Sequence, residues 1–270
     1  RIRLSLASFG GAIIIYPAFA ADLPPELMVG GAPIEPLCFE EVSADEWLDI
    51  SACVKGEIVG LPEQKEPWAK DMIGYNYRYK DDKSDATSYS YYQYIGQWNG
   101  APVVVSYGSG GGTGQFTSLT SIERNASKIR VLQGFGGGDR CNGGIVDAKI
   151  SFGTLYYGQN MTPIDFLQIA EDNPHDLQPY DDLEASAVSC FGVARFEDEK
   201  FVGVTLEAPP PQPAGGTTYK YQACFNKLYQ GVLAGGKKEL SVAELKEFTG
   251  QFNAACVGES AGAVGGETSH

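Results

Sequence analysis

Between residues 98 and 157 apolar and polar positions alternate with a period of two. Val103, Val105 and Tyr107 alternate with Pro102, Val104 and Ser106; Ile129 and Val131 with Lys128 and Arg130; Ile150 and Phe152 with Lys149 and Ser151. This period puts one set of side chains on each face of a strand. It predicts half-buried strands near 101–107, 115–123, 128–134 and 145–157. Glycine clusters at 108–114 and 134–144 separate them, and glycine admits the positive φ angles of tight hairpins and bulges.

The same period holds upstream. Tyr75, Tyr77 and Tyr79 alternate with Asn76, Arg78 and Lys80, so three phenols share one strand face. The run 81–85 reads as a turn, and Tyr89, Tyr91, Tyr92 and Tyr94 as the returning strand. Before them, Ser43 and Glu46 have capping-box spacing and predict a helix carrying Trp47, Leu48 and Ile50. Residues 21–37, rich in proline and without a period, read as extended chain.

Downstream the signals become mixed. Thr162, Pro163 and Asp165 predict a helix start, with Phe166, Ile169 and Ala170 apolar and Asn173-Pro174 as the stop. Residues 187–196 and 201–206 read as two strands across the charged turn 197–200, with Cys190 in the first. The prolines and glycines of 208–216 read as a linker. Beyond it, Tyr221, Cys224, Phe225, Leu228 and Val232 fall on one helix face, ended by Gly235 and Gly236. A second capping box, Ser241 with Glu244, opens a helix with Leu245, Phe248, Phe252 and Cys256 on one side. Helices joined by so short a turn pack antiparallel.

The expected fold is α+β: a β-rich antiparallel sheet or partly open barrel over 21–207, followed by the 208–216 linker and a C-terminal disulfide-stapled helical hairpin at 217–256. The small, polar stretch 257–270 reads as a disordered tail. Residues 1–20 have a basic start, an apolar middle and Ala18-Phe19-Ala20 at the end, the pattern of a signal peptide. No other stretch has the length of apolar sequence that a membrane span requires, so no membrane insertion of the mature chain is expected. The expected location is periplasmic or extracellular.

The six cysteines fit an oxidising compartment. Local pairing predicts Cys38–Cys53, Cys141–Cys190 and Cys224–Cys256. The net charge is −14; without Arg1 and Arg3 of the leader the 20 basic residues become 18 against 34 acidic ones. Such a chain repels nucleic acid and anionic membrane surfaces and attracts basic partners.

Histidine chemistry lacks parts, because only His175 and His270 exist. The 258–262 match to G-x-S-x-G lacks the strand before it and the acid and histidine after it. The glycine clusters do not match phosphate loops, and neither a cofactor nor a metal is expected. The expected function is therefore an exported, non-enzymatic binding protein. Its partner is a protein, with a basic envelope or cell-wall-acting protein that it inhibits as one form, or an envelope glycan. The candidate binding residues are Asp139 and Arg140, on the glycine loop that Cys141 ties to Cys190, and the Tyr75, Tyr77 and Tyr79 face. One alternative is a glycoside hydrolase using two carboxylates about 5–9 Å apart, drawn from Asp139, Asp147, Asp165, Asp181, Asp182 and Glu184. The other is a structural envelope component docked by its helical hairpin.

Overall fold

The structure, a computed structural model, describes residues 23–53, 58–80, 86–170, 175–209 and 218–258. The expected leader, the 81–85 turn, the Asn173-Pro174 helix stop, most of the expected linker (210–216) and the tail from 259 lie outside the described residues.

The alternating stretches form strands, and all ladders between them are antiparallel. A small hairpin, β1 (Met28–Val29) with β2 (Ala32–Pro33), stands apart. Seven further strands make one sheet: β3 (Leu48–Asp49), β4 (Ile58–Leu61), β5 (Ile73–Tyr79), β6 (Ser88–Trp98), β7 (Ala101–Ser109), β8 (Phe116–Asn125) and β9 (Lys128–Asp139). Their spatial order is β3-β9-β8-β7-β6-β5-β4. Register shifts at Tyr94/Gly96 and at two places in the β8–β9 ladder mark bulges in the long central strands. Bulges bend a strand and raise its twist, and the sheet curls into a half-barrel.

Both faces of this sheet are covered, which corrects the expectation of half-buried strands. Val103, Val104 and Val105 are all buried. Val104, Tyr92 and Ile122 pack under the N-terminal segment with Leu27, Ile34 and Phe39. Val103, Val105 and Leu119 pack on the other side against Ile145, Leu155 and Tyr157. Those last three belong to a second sheet: β10 (Ile145–Ser151), β11 (Thr154–Met161), β12 (Gly192–Glu197), β13 (Lys200–Leu206) and β14 (Glu239–Ser241), paired in that order. The expected single strand 145–157 is thus a hairpin, turning at Phe152 and Gly153, both with positive φ.

The predicted helix after Ser43 does not form. One turn of helix, α1 (Cys38–Glu41), precedes it, and Leu48 and Asp49 instead pair with Ile129 and Lys128. Val131 N–H also donates to Ser43 O at 2.8 Å. Pairing with a sheet edge satisfies this backbone at once and overrides a local capping signal. Cys190 likewise sits before β12 rather than in a strand, because Ala187 O is drawn to Cys141 N–H at 3.1 Å.

The helices share their core with the second sheet. Thr162 and Asp165 make the expected capping box on α2 (Pro163–Gln168), and Ser241 and Glu244 on α4 (Val242–Phe252). The helix between the linker and α4 is α3 (Gln222–Ala234). The expected face packs into the core, with Tyr221 and Phe225 buried and Cys224, Leu228 and Val232 partly so, and the buried surface extends further to Gln222, Asn226 and Tyr229. Polar side chains turn inward where they satisfy buried backbone. Tyr229 Oη lies within hydrogen-bond reach of Phe191 O and Glu207 O, which share its one proton, and accepts from Glu207 N–H at 3.1 Å, while Gln222 Oε1 accepts from Glu184 N–H at 2.8 Å. All three expected disulfides are formed: Cys38–Cys53, Cys141–Cys190 and Cys224–Cys256, with Cα–Cα distances of 5.1, 4.7 and 5.8 Å.

Candidate ligand cleft

Where the two sheets diverge, a cleft of about 320 Å³ opens between an aromatic wall on the large sheet and the glycine loop after β9. The wall follows from register. Tyr91 pairs with Tyr107 across β6 and β7, and Tyr89 lies two residues along β6, so all three phenols stand on one face. Trp68 closes over them. Its ring lies 5.5 Å from those of Tyr89 and Tyr91, edge-on, and 5.7 Å from Tyr107. It remains 48% exposed, so part of its surface is open. Phe116, 55% exposed, continues the apolar surface on β8.

Trp68 sits on a single 3₁₀ turn, Pro67–Ala69, which carries little structure of its own. Its neighbours fix it. Glu66 N–H donates to Tyr91 Oη at 3.2 Å, Tyr91 Oη donates to Asn76 Oδ1, and Asn76 Nδ2 donates to Glu66 Oε1 at 3.2 Å. Lys65 Nζ donates to the carbonyls of Lys70 and Met72, closing the loop from below. The ring is therefore held in place before any ligand arrives, which lowers the ordering cost of binding.

The opposite wall is the glycine loop. Arg140 adopts φ +48°. Its Nε donates to Asp139 Oδ1 at 2.9 Å and its Nη2 to Oδ2 at 3.2 Å, a bidentate pair. Gln115 N–H donates to the same Oδ1 at 2.9 Å. Arg140 O accepts from Gly144 N–H and from Asn160 Nδ2, at 2.9 and 3.2 Å. The loop folds so tightly on itself that a Cβ on Gly138 would lie 1.8 Å from Asn142 O, and one on Gly144 2.3 Å from Arg140 O. Glycine is required at both positions for close approach of backbone to backbone.

Electrostatics keep the polar groups in fixed states. Burial works to raise the Asp139 pKa, but the Arg140 hydrogen bonds and Gln115 N–H outweigh it and hold the carboxyl below 3.8. A depressed folded pKa means that this contribution to stability is full above the unfolded value and is lost as pH falls through the folded one. An NMR titration should therefore find Asp139 ionised throughout pH 5–8. With Arg140→Ala only burial and one backbone donor remain, so the midpoint should rise; an unchanged midpoint would show that Arg140 does not hold this carboxylate. Tyr89 and Tyr107 are pushed up, both chiefly by burial and Tyr89 further by Glu66 and Asp139, so both phenols stay neutral.

The candidate binding residues separate. Arg140 lines the cleft, and Asp139 stands beside it, bonded to the Arg140 guanidinium and to Gln115 N–H. Tyr75, Tyr77 and Tyr79 share a strand face, but it is the opposite face of the sheet, since Tyr75 and Tyr77 pair with Ser90 and Ser88 rather than with Tyr89. Tyr77 is buried, Tyr75 Oη donates to Glu35, and only Tyr79 is largely open. Trp68, Tyr89, Tyr107 and Gln115, which line the cleft, lay outside the expected binding residues. The isolated tryptophan after Pro67 was the available signal; its neighbours depend on register.

The candidate carboxylates are scattered. Asp165 caps α2, Asp182 Oδ2 accepts from Gln178 N–H, Glu184 Oε1 accepts from Ser189 Oγ, and Asp147 lines a different depression with Glu197 and Glu207. None of the six lines the cleft itself; Asp139, beside Arg140, is adjacent to it, and an acid so readily ionised is a poor proton donor. Among the described residues no group of three or more histidine, cysteine, aspartate or glutamate side chains could hold a metal ion, and no helix is long and apolar enough to cross a membrane. Comparison with family models, curated proteins and solved structures finds no match, so the cleft stands on its geometry alone.

Proposed function

We propose that this is an exported, non-enzymatic binding protein that holds its ligand between Trp68 and the Cys141 loop. The observation that carries the reading is a half-exposed indole locked in place by the Glu66–Asn76–Tyr91 ring of hydrogen bonds, opposite a bidentate Arg140–Asp139 pair. Rigid aromatic surface beside a few fixed polar groups is the usual composition of a ligand site. Three disulfides suit the oxidising compartment that export implies. Inhibition of a basic protein by charge alone fits less well, since the cleft's one ion pair is neutralised within itself.

The test is retention of envelope extract on the immobilised oxidised protein. The wild type should hold a component that Trp68→Ala loses and Trp68→Phe keeps, with the component released chemically unchanged. Because half of Trp68 is already exposed, the thermal transition of Trp68→Ala should move by only a few °C. Identical retention by wild type and Trp68→Ala, with both folded, overturns the proposal. Retention that collapses with added salt in both would point instead to diffuse charge attraction.

A further inference from the structure

We infer that the ligand of the cleft is a neutral glycan chain, an inference that rests on the reading of the cleft as a ligand site. The first ground is what the cleft withholds. β6, β7 and β8, which present their faces here, are interior strands of the large sheet; its edges are β3 and β4. Their backbone N–H and C=O groups are committed to ladders. β10 is an edge of the second sheet, but only its first residue, Ile145, lines the cleft, and its N–H donates to Thr117 Oγ1 at 2.6 Å, so a peptide finds no run of free backbone to join as a further strand. Recognition has to come from ring surfaces and side chains.

The second ground is the match between those surfaces and a sugar ring. A pyranose has an apolar C–H face and a rim of hydroxyls, each both donor and acceptor. Trp68 offers an open aromatic surface, and the neutral phenols of Tyr89 and Tyr107 stand beside it. Across the cleft, Arg140 and Asp139 spend Nε and Nη2 on Oδ1 and Oδ2. A guanidinium has five N–H donors and a carboxylate about four acceptor positions. The pair therefore keeps two donors on Nη1, one on Nη2, and an unused acceptor position on Oδ2. Sugar hydroxyls, each able to accept from the guanidinium or donate to the carboxylate, suit these unused positions.

The third ground is charge. Arg140 is the one charged residue in the cleft lining, and its charge is balanced by Asp139 beside it. A chain with net charge −14 repels polyanionic glycans. A cationic ligand would find Asp139 already paired. An uncharged saccharide loses nothing on either account.

The experiment is calorimetric titration of the oxidised protein with neutral tetrasaccharides of glucose, mannose and N-acetylglucosamine. An oligogalacturonate and a proline-rich decapeptide serve as the anionic and polypeptide probes. At least one neutral tetrasaccharide should bind, roughly tenfold more weakly to Trp68→Ala and to Asp139→Asn, with Trp68→Phe close to wild type. Affinity should change less than about twofold between low and high salt, because no net charge is neutralised. Failure of every neutral tetrasaccharide overturns the glycan assignment, and so does tighter binding of the oligogalacturonate. If the decapeptide alone binds, in a Trp68-dependent way, the glycan assignment falls and the cleft stands. The retention experiment decides separately whether the cleft itself stands.

Discussion

Phe225→Ala should cost about 3–5 kcal/mol of stability, near the top of the range for a buried aromatic. Phe225 is fully buried on α3. Its ring meets Phe166 at 5.9 Å, Phe191 at 5.5 Å and Phe248 at 5.6 Å, and lies nearly parallel to Tyr229 at 5.9 Å. These rings come from α2, the approach to β12, α3 and α4, so the cavity would open where four segments of chain meet. Few such neighbours can collapse inward, since Tyr229 is tethered to Phe191 O and Glu207 O and the helices are joined by Cys224–Cys256. Urea denaturation should show a lower midpoint with an unchanged slope, and the melting temperature should fall by roughly 10 °C. A loss below about 1 kcal/mol would mean that the cluster refills itself. The large sheet has a core of its own under the N-terminal segment and shares another with the second sheet, so a second, less affected transition would show that the two sheets unfold separately.

The sequence carried the strands and helix caps well and the faces less well. Period-two alternation located β5 to β9, and Thr162 and Ser241 opened the helices they were expected to open. The disulfides were legible because each pair closes one local unit, at separations of 15, 49 and 32 residues. Two kinds of information were missing. The first is competition between local and tertiary bonding: the Ser43 capping signal is genuine, but the backbone there is taken up by β9. The buried surface of α3 is wider than the apolar face for a related reason, because Tyr229 and Gln222 serve carbonyls and an amide that only the folded chain brings near. The second is register. Tyr75, Tyr77 and Tyr79 looked like a platform because alternation shows that they share a face, but alternation does not say which face is covered. Pairing of Tyr75 with Ser90 turns them to the opposite face, where Tyr77 is buried and Tyr75 bonds Glu35, and leaves Tyr89 and Tyr107 for the cleft. β14 escaped for want of length: three residues ending on the N-cap of α4 show no period.

Removing the Cys141–Cys190 bridge, as Cys141→Ala with Cys190→Ala, should cost about 4 kcal/mol by the loop-closure model and should also open the cleft. The bridge closes 49 residues of chain, the longest of the three loops, and so constrains the unfolded chain most. Its folded-state role is local. Beyond the bridge, the loop is tied to the approach to β12 by Cys141 N–H to Ala187 O at 3.1 Å and Asn142 Nδ2 to Ala185 O at 3.0 Å. Two such hydrogen bonds, about 1 kcal/mol each, hold a loop far less firmly than a covalent bond. Amide exchange at Cys141 and Gly144 should therefore quicken well beyond what the global loss explains, while exchange in β6 and β7 follows global stability. Removing Cys38–Cys53 supplies the comparison. It closes only 15 residues and lies among the residues under the opposite face of the sheet, so it should cost about 3 kcal/mol and leave ligand affinity within about twofold of wild type. If both double variants weaken binding alike, the loss reports general destabilisation and Cys141 does not position Arg140. If only the Cys141–Cys190 variant weakens it, the covalent staple is what presents the Arg140–Asp139 pair to the ligand.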